Sequence, residues 1–383
     1  MAELSEFESI RPYDDKEAVE ALTRLSHHPG LPLVSKYLFP KEPIGKLAKS
    51  LREVKSVSEF QDLVMIDVVA AILSKTAQGF TFEGVENLLK MKGKKFLAIS
   101  NHRDIVLDPA LIQYTLHENG IPYGEICVGN NLLSSQWVED LMRSNRMIKV
   151  IRGISARELY LSSQILSKYI RQTITEGAAS VWIAQREGRT KDGKDTTEQG
   201  LLKMFDLSGE KGFVENFDEL NILPMSISYE YESCDFRKAR ELYYKRRDGS
   251  YTKKKNEDLH SIMTGIRQQK GHIHLTIGEP LSLEEIQAAA EWKGNDRYQA
   301  IRHCLDRRII GGYKLFKTNY MAWDILHSDK KYLGVKYLPE DLTSFEKYIH
   351  HKLAKADNDI DKNSLKEIFL GIYSNPVDSV DSL

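Results

Sequence analysis

The sequence predicts an α/β protein whose mixed or parallel sheet is flanked by helices, with a further helical region at each end. Three observations carry this. Short, largely apolar runs at residues 96–99, 180–184 and 222–230 have the length and character of strands buried on both faces. Helical periodicity fills the chain between them, as in the amphipathic segment 158–174, and this alternation is that of an α/β sheet. The first run ends abruptly in Ser100, Asn101, His102, Arg103 and Asp104, and an apolar-periodic segment (residues 105–116) comes at once after it. Strand, polar turn and helix is how open α/β sheets place reactive side chains at the carboxyl end of a strand.

Taken in order, residues 1–90 read as a helical region. Asp14, Asp15 and Glu17 open a periodic segment, and Pro29, Pro32, Pro40 and Pro43 punctuate the chain beyond it. Val57, Phe60, Val64, Val68 and Ile72 share one helical face, which reads as docking on a core in preference to a membrane surface. Residues 91–282 form the α/β domain. Its expected strands are 96–99, 124–129, 147–151, 180–184, 222–230 and 272–277, with a charged insertion at 235–270. Residues 283–383 turn helical again, anchored by Trp292, Tyr298, Tyr313 and Phe316; the tail beyond Asn375 has too little apolar content to order by itself.

Composition bounds the function. A chain of 383 residues, 41% hydrophobic and 28% charged with a formal net charge of -1, is an ordinary globular chain. It has no whole-molecule attraction for nucleic acid or an anionic membrane, so such a partner needs a local patch. Nucleic acid is not expected. Cys127, Cys234 and Cys304 stand far apart, which fits neither a zinc site nor a disulfide framework and suits a reducing cytoplasm. The acidic start lacks a signal-peptide pattern, and no uncharged run approaches the about 18 residues of a membrane span. Asp357, Asp359 and Asp361 begin like a calcium loop, but Lys362 occupies the turn-glycine position and Ile368 that of the bidentate glutamate. No metal is expected.

Four strand exits carry unusual polar groups: His102 with Asp104 and Asp108; Lys149 and Arg152; Arg186, Glu187, Gly188 and Arg189; and residues 226–230. If the strands are parallel neighbours, these exits meet on one face. A carboxylate beside an imidazole fixes its tautomer and raises its basicity, a combination suited to deprotonating a hydroxyl. Arginine offers a rigid fork of donors to phosphate, and Gly188 lets backbone amides approach a ligand. Histidine base plus phosphate clamp reads as attack by the hydroxyl of a phosphorylated substrate. Duller readings stand beside it: a surface ion-pair cluster at 186–189 and an exposed strand end at Tyr229, Glu230, Tyr231 and Glu232. The insertion, with Arg237, Lys238, Arg240, Lys245, Arg246, Arg247 and Lys253 to Lys255 among tyrosines, reads as a flap on an anionic bilayer or as a solvated helix and loop.

With these blocks in order, the chain resembles the glycerolipid acyltransferases. Asn101, His102 and Asp108 match the NHxxxxD block; residues 148–152 match the apolar strand ending in a substrate-binding Arg152; Glu187, Gly188 and Arg189 match the Glu-Gly-Arg block. Residues 222–229 match the strand entered through proline, and Gly278, Glu279 and Pro280 match the closing Gly-x-Pro. The resemblance spans residues 95–282 and implies an acyltransferase-like sheet. It also implies transfer of an acyl group from acyl-CoA or acyl-ACP to glycerol 3-phosphate or lysophosphatidic acid. His102 is then the base, Arg152, Arg186 and Arg189 the phosphate ligands with Lys149 nearby, and Glu187 a residue orienting an arginine or touching the acceptor. The resemblance implies no metal or prosthetic group, with acyl carrier protein as a possible donor and the inner membrane face as the workplace. Other lipid acceptors, such as an acylated amino acid, and a non-catalytic phospholipid-binding module are the rival readings.

The match departs from the pattern twice. Five residues separate His102 from Asp108 where four are usual, so either Asp108 orients the ring with Asp104 as helix N-cap, the preferred arrangement, or Asp104 supplies the carboxylate. Arg189 comes directly after Gly188 where the family usually has one residue between, so either Arg186 or Arg189 is the phosphate ligand.

Overall fold

The computed structural model describes residues 6–91, 93–133 and 135–383; residues 1–5, most of the acidic start that argues against a signal peptide, lie outside them. Seven strands form one sheet: β1 Ala77–Glu83, β2 Leu97–Ser100, β3 Glu125–Gly129, β4 Met147–Val150, β5 Val181–Ala184, β6 Ile222–Tyr229 and β7 Gly271–Ile277. Their order in space is β1-β7-β6-β2-β5-β3-β4. β2 to β6 run parallel, whereas β7 is antiparallel to β6 and parallel to β1. The helices used below are α1 Leu107–Glu118, α2 Ala156–Thr175, α3 Asp235–Asp248, α4 Glu257–Arg267 and α5 Lys362–Asp381.

β2 is central because all its residues tolerate burial. Leu97 and Ile99 face one layer with Ile170 of α2, Phe205 and Ile301, while Ala98 faces the other with Leu111 and Ile112 of α1 and Ile72. Full burial of a side chain such as Leu97 contributes about 2 kcal/mol, so each face anchors the strand. The face formed by Val57, Phe60, Val64 and Ile72 is buried, and Ser56 caps its first turn by accepting from Glu59 N–H.

Three expectations are corrected. The region 1–90 is not wholly helical, since β1 lies in it; as an edge strand with largely exposed side chains, it lacks the apolar run of a buried strand. The sheet is mixed, one of the two arrangements expected, because β7 reverses. The tail beyond Asn375 is ordered as the end of α5, with Val377 fully buried, Asn375 Nδ2 donating to Asp192 O, and Trp323 Nε1 donating to Asp378. Tertiary burial there outweighs the helix-breaking Pro376.

The insertion, finally, is docked over its first part, where Lys238, Ala239 and Tyr243 are buried, and solvated from Lys245 to Asn256 around the half-buried Tyr251. Lys238 is buried against Glu232, and Arg240, Arg246 and Arg247 pair with Asp357, Glu367 and Asp359. Two of these are the acids that resembled a calcium loop. Among the described residues, no helix is long and apolar enough to cross a membrane.

Candidate active site

The β2 exit is folded around one carboxylate. Asp108, fully buried in the first turn of α1, accepts through Oδ2 from His102 Nδ1 (2.8 Å), Arg103 N–H (2.5 Å) and Asp104 N–H (2.9 Å). Its Oδ1 accepts from the Tyr229 hydroxyl at 2.7 Å. A carboxylate only accepts, which assigns the imidazole hydrogen to Nδ1 and leaves the Nε2 lone pair free. The His102 side chain is 14% exposed, within reach of a ligand. Trp182 of β5 holds the ring edge-to-face, with centroids 5.7 Å apart, and its indole N–H donates to Ser100 Oγ. Burial, then the charge of Asp108, pushes the Tyr229 phenol well above its usual range, so Tyr229 remains a donor.

Asp104 does not touch His102 in this network. Its Oδ1 accepts from Val106 and Leu107 N–H, both at 2.8 Å, while Ser233 donates to Oδ2. Asp104 thus closes the entry turn that absorbs the additional residue, and α1 begins at Leu107 rather than near Asp104. Burial alone would raise the Asp104 carboxyl; the Lys270 ammonium, the Ser233 hydroxyl and the two backbone N–H groups outweigh it and hold the pKa below the ordinary value.

Asn101 extends the β2–β6 contact as a backbone would. Its Oδ1 accepts from Ile227 N–H (2.8 Å) and its Nδ2 donates to Ile227 O (3.0 Å).

The second group comes from β5. Thr190 N–H donates to His102 O at 2.8 Å, stitching the loop of Arg186, Glu187, Gly188 and Arg189 to the histidine turn. Gly188 has φ +71° with open space around its missing Cβ, so backbone conformation and not crowding selects glycine there. Among the described residues, Arg186 Nε and Arg189 Nη1 are buried without a hydrogen-bond partner. The surface ion-pair reading of this loop therefore fails for both arginines, and these donors are suited to an anion. Arg152, at the β4 exit, joins the group: its Nε lies 3.8 Å from Glu187 Oε1, and its backbone N–H donates to Asn130 Oδ1. Lys149 does not join, because its ammonium is 3.4 Å from Glu139 of the helix Gln136–Ser144.

Four buried polar residues near the site, Arg103, Asp195, Glu232 and Lys238, were given no role in it by the sequence reading. Arg103, buried, pairs with Asp195 at 2.5 Å and lies 3.6 Å from Glu232. Lys238 donates to Glu232 and to Arg103 O. Tyr229 and Glu232 are buried, so the exposed-strand-end reading is corrected. Nothing in the local sequence marks Asp195, which sits among Lys and Gly residues like any surface turn. The one available signal was Arg103, a charge inside a strand-end turn.

A family model of acyltransferases matches residues 79–229, from β1 to the last residue of β6. That block holds His102, Asp108, Arg152 and the 186–189 loop. The glycerol-3-phosphate acyltransferase of Pseudomonas fluorescens (strain SBW25) is 22% identical over 260 residues, covering 65% of this chain and 29% of that protein. The chain thus spans less than a third of the length of this curated relative. The crystal structure of the 1-acyl-sn-glycerophosphate acyltransferase PlsC from Thermotoga maritima superposes with a TM-score of 0.41 at 14% identity, covering 76% of this chain and 95% of that one. From β1 to β6 the chain is therefore similar to the acyltransferases, the family whose model it matches there.

Proposed function

We propose that this chain moves a fatty acyl group from an acyl thioester, acyl-CoA or acyl-ACP, to a hydroxyl of glycerol 3-phosphate or lysophosphatidic acid. The reading rests chiefly on the Thr190–His102 backbone bond, which sets an acid-oriented imidazole beside a loop with unpartnered guanidinium N–H groups. In the proposed step, His102 Nε2 takes the proton of the acceptor hydroxyl as its oxygen attacks the thioester carbonyl. The tetrahedral intermediate collapses, the C–S bond breaks, and the imidazolium returns the proton to the departing thiolate. The thioester is already activated, so the chemistry uses no serine or cysteine nucleophile and takes no prosthetic group.

Arg152, Arg186 and Arg189 bind the acceptor phosphate in this scheme. Fixing the attacking oxygen near the base removes several kcal/mol from the barrier. Asp108 stabilises the imidazolium, while Glu187 holds Arg152. The substrates are amphiphiles, and we assign the protein to the cytoplasmic face of a membrane as a peripheral enzyme.

The test is to offer the purified full chain an acyl-CoA or an acyl-ACP with glycerol 3-phosphate, and then with lysophosphatidic acid, and to identify the lipid formed. His102→Ala is expected to abolish turnover with folding intact, a loss of about 10²- to 10⁴-fold. Near-wild-type activity in that variant refutes the base assignment.

A further inference from the structure

Asp195 takes no part in the proposed transfer, yet more donors converge on it than a single ion pair needs. It lies between β5 and the helix Gln199–Leu207, buried to 3% exposure. Oδ2 accepts from Arg103 Nη2 (2.5 Å), from Asn101 Nδ2 (3.2 Å) and from the Tyr313 hydroxyl, while the Thr190 hydroxyl donates to Oδ1.

These donors come from three parts of the chain. Asn101 and Arg103 flank His102, and the Arg103 N–H is itself a donor to Asp108. Thr190 closes the loop that carries Arg186 and Arg189, and Tyr313 belongs to the C-terminal helical region. Burial acting alone would raise the Asp195 carboxyl, but the Arg103 guanidinium and the neighbouring hydroxyls hold it below the ordinary carboxylate value. The same surroundings, burial first and then the Asp195 charge, push the Tyr313 phenol well up, so it stays a donor.

A buried ion pair is a poor source of stability compared with apolar packing of the same volume. Its value here is geometric. Base and phosphate ligands sit on separate loops, and a productive arrangement tolerates only about 0.5 Å of play. One carboxylate with donors from both loops supplies that constraint.

We infer that Asp195 is a positioning residue that sets the spacing between His102 and the loop arginines, acting through Arg103 on one arm and Thr190 on the other. The inference rests on the reading of His102 as base and of the 186–189 loop as phosphate site. It predicts that the two arms separate. Cutting the Thr190 arm disturbs the anion site and spares the imidazole, whereas loosening the Arg103 arm does the reverse.

The experiment uses the full chain as wild type, Thr190→Val, Arg103→Lys and Asp195→Asn, each checked by thermal melting. Two readouts need no turnover: the affinity for inorganic phosphate by calorimetry, and the His102 Nδ1–H proton resonance, which reports the bond to Asp108. Thr190→Val is expected to weaken phosphate binding about tenfold, the equivalent of one lost hydrogen bond to a charged group, with the resonance unmoved. Arg103→Lys is expected to shift or broaden the resonance while phosphate affinity holds, and Asp195→Asn to change both.

Unchanged phosphate affinity in Thr190→Val overturns the inference, as does parallel change of both readouts in both single-arm variants, the mark of general loosening. If Asp195→Asn fails to fold, the single-arm variants carry the test. Wild-type protein that binds no phosphate sinks the acceptor-site reading and the loop arm together. An unmoved resonance in Arg103→Lys refutes the turn arm independently.

Discussion

Replacing Asp108 with asparagine removes one charge and keeps the shape, and the surrounding donors dictate how the new side chain sits. Oδ2 receives three N–H groups and Oδ1 receives one hydroxyl. An amide NH₂ placed at the first position would confront three donors; at the second it meets only the Tyr229 oxygen, which can accept. The amide oxygen therefore stays with His102, and the Nδ1–H tautomer survives. What disappears is the negative charge facing the imidazolium. Two unit charges about 4 Å apart interact by about 4 kcal/mol at an effective dielectric of about 20. With the imidazolium half to fully developed in the transition state, kcat should fall by about 30- to 1000-fold.

Steady-state acyl transfer at saturating acceptor measures this. Retention of more than half of the wild-type kcat, in a protein that melts normally, would refute the role given to Asp108. Asp108→Ala provides the contrast. It strands two backbone N–H groups and a buried phenol at about 1 to 3 kcal/mol each. The melting temperature should then drop together with activity.

Other expectations concern the anion site and stability. Arg189→Met should raise the KM for the phosphorylated acceptor about tenfold or more while leaving the donor KM near wild type; equal loss for both substrates would place Arg189 elsewhere in the reaction. Glu125 is pushed by burial up to about 7, with the Tyr169 hydroxyl and Arg146 opposing. Its folded pKa exceeds the unfolded one, so the native state loses stability as pH rises from about 4.5 to 7. Glu125→Gln should therefore be more stable than wild type by at most about 3 kcal/mol at pH 8 and by nothing near pH 4, as urea titrations at the two values would reveal. Asp104 and Asp195 have the opposite sign: both are depressed when folded, so their contribution is complete above about pH 4 and is lost below it. Val377→Ala should cost about 2 kcal/mol in chemical denaturation. No cost would mean that the end of α5 does not pack.

How far each element is legible in the sequence depends on where its information resides. β2 was legible because a strand covered on both faces must be apolar throughout, and its abrupt polar ending marked the site. Asp108 was reachable because a carboxylate in the first turn of α1 can fold back on the preceding loop. β1 was not legible, since an edge strand is half solvated and has no such run. The reversal of β7 was hidden because strand direction is set by the intervening chain, here α3 and α4, and not by the strand's own residues. The Arg103–Asp195 pair looked like two solvated charges, because burial of a charge depends on a partner more than ninety residues away. The order of the last residues was equally invisible: Pro376 speaks locally for a break, and only its tertiary neighbours override it.

The docking of α5 bears on how this protein can be divided. The loop that carries Asp195 passes beneath the helix at Gly193, where a Cβ would collide with Ile372 O, and Asn375 Nδ2 donates to Asp192 O. The last helix is therefore the wall against which the loop behind the anion site is moulded. Excising the block from β1 to β6 as a minimal enzyme would leave that loop without its backing. Grafting the block onto another scaffold would require a replacement surface of the same contour, and a glycine-sized clearance is a demanding shape to match.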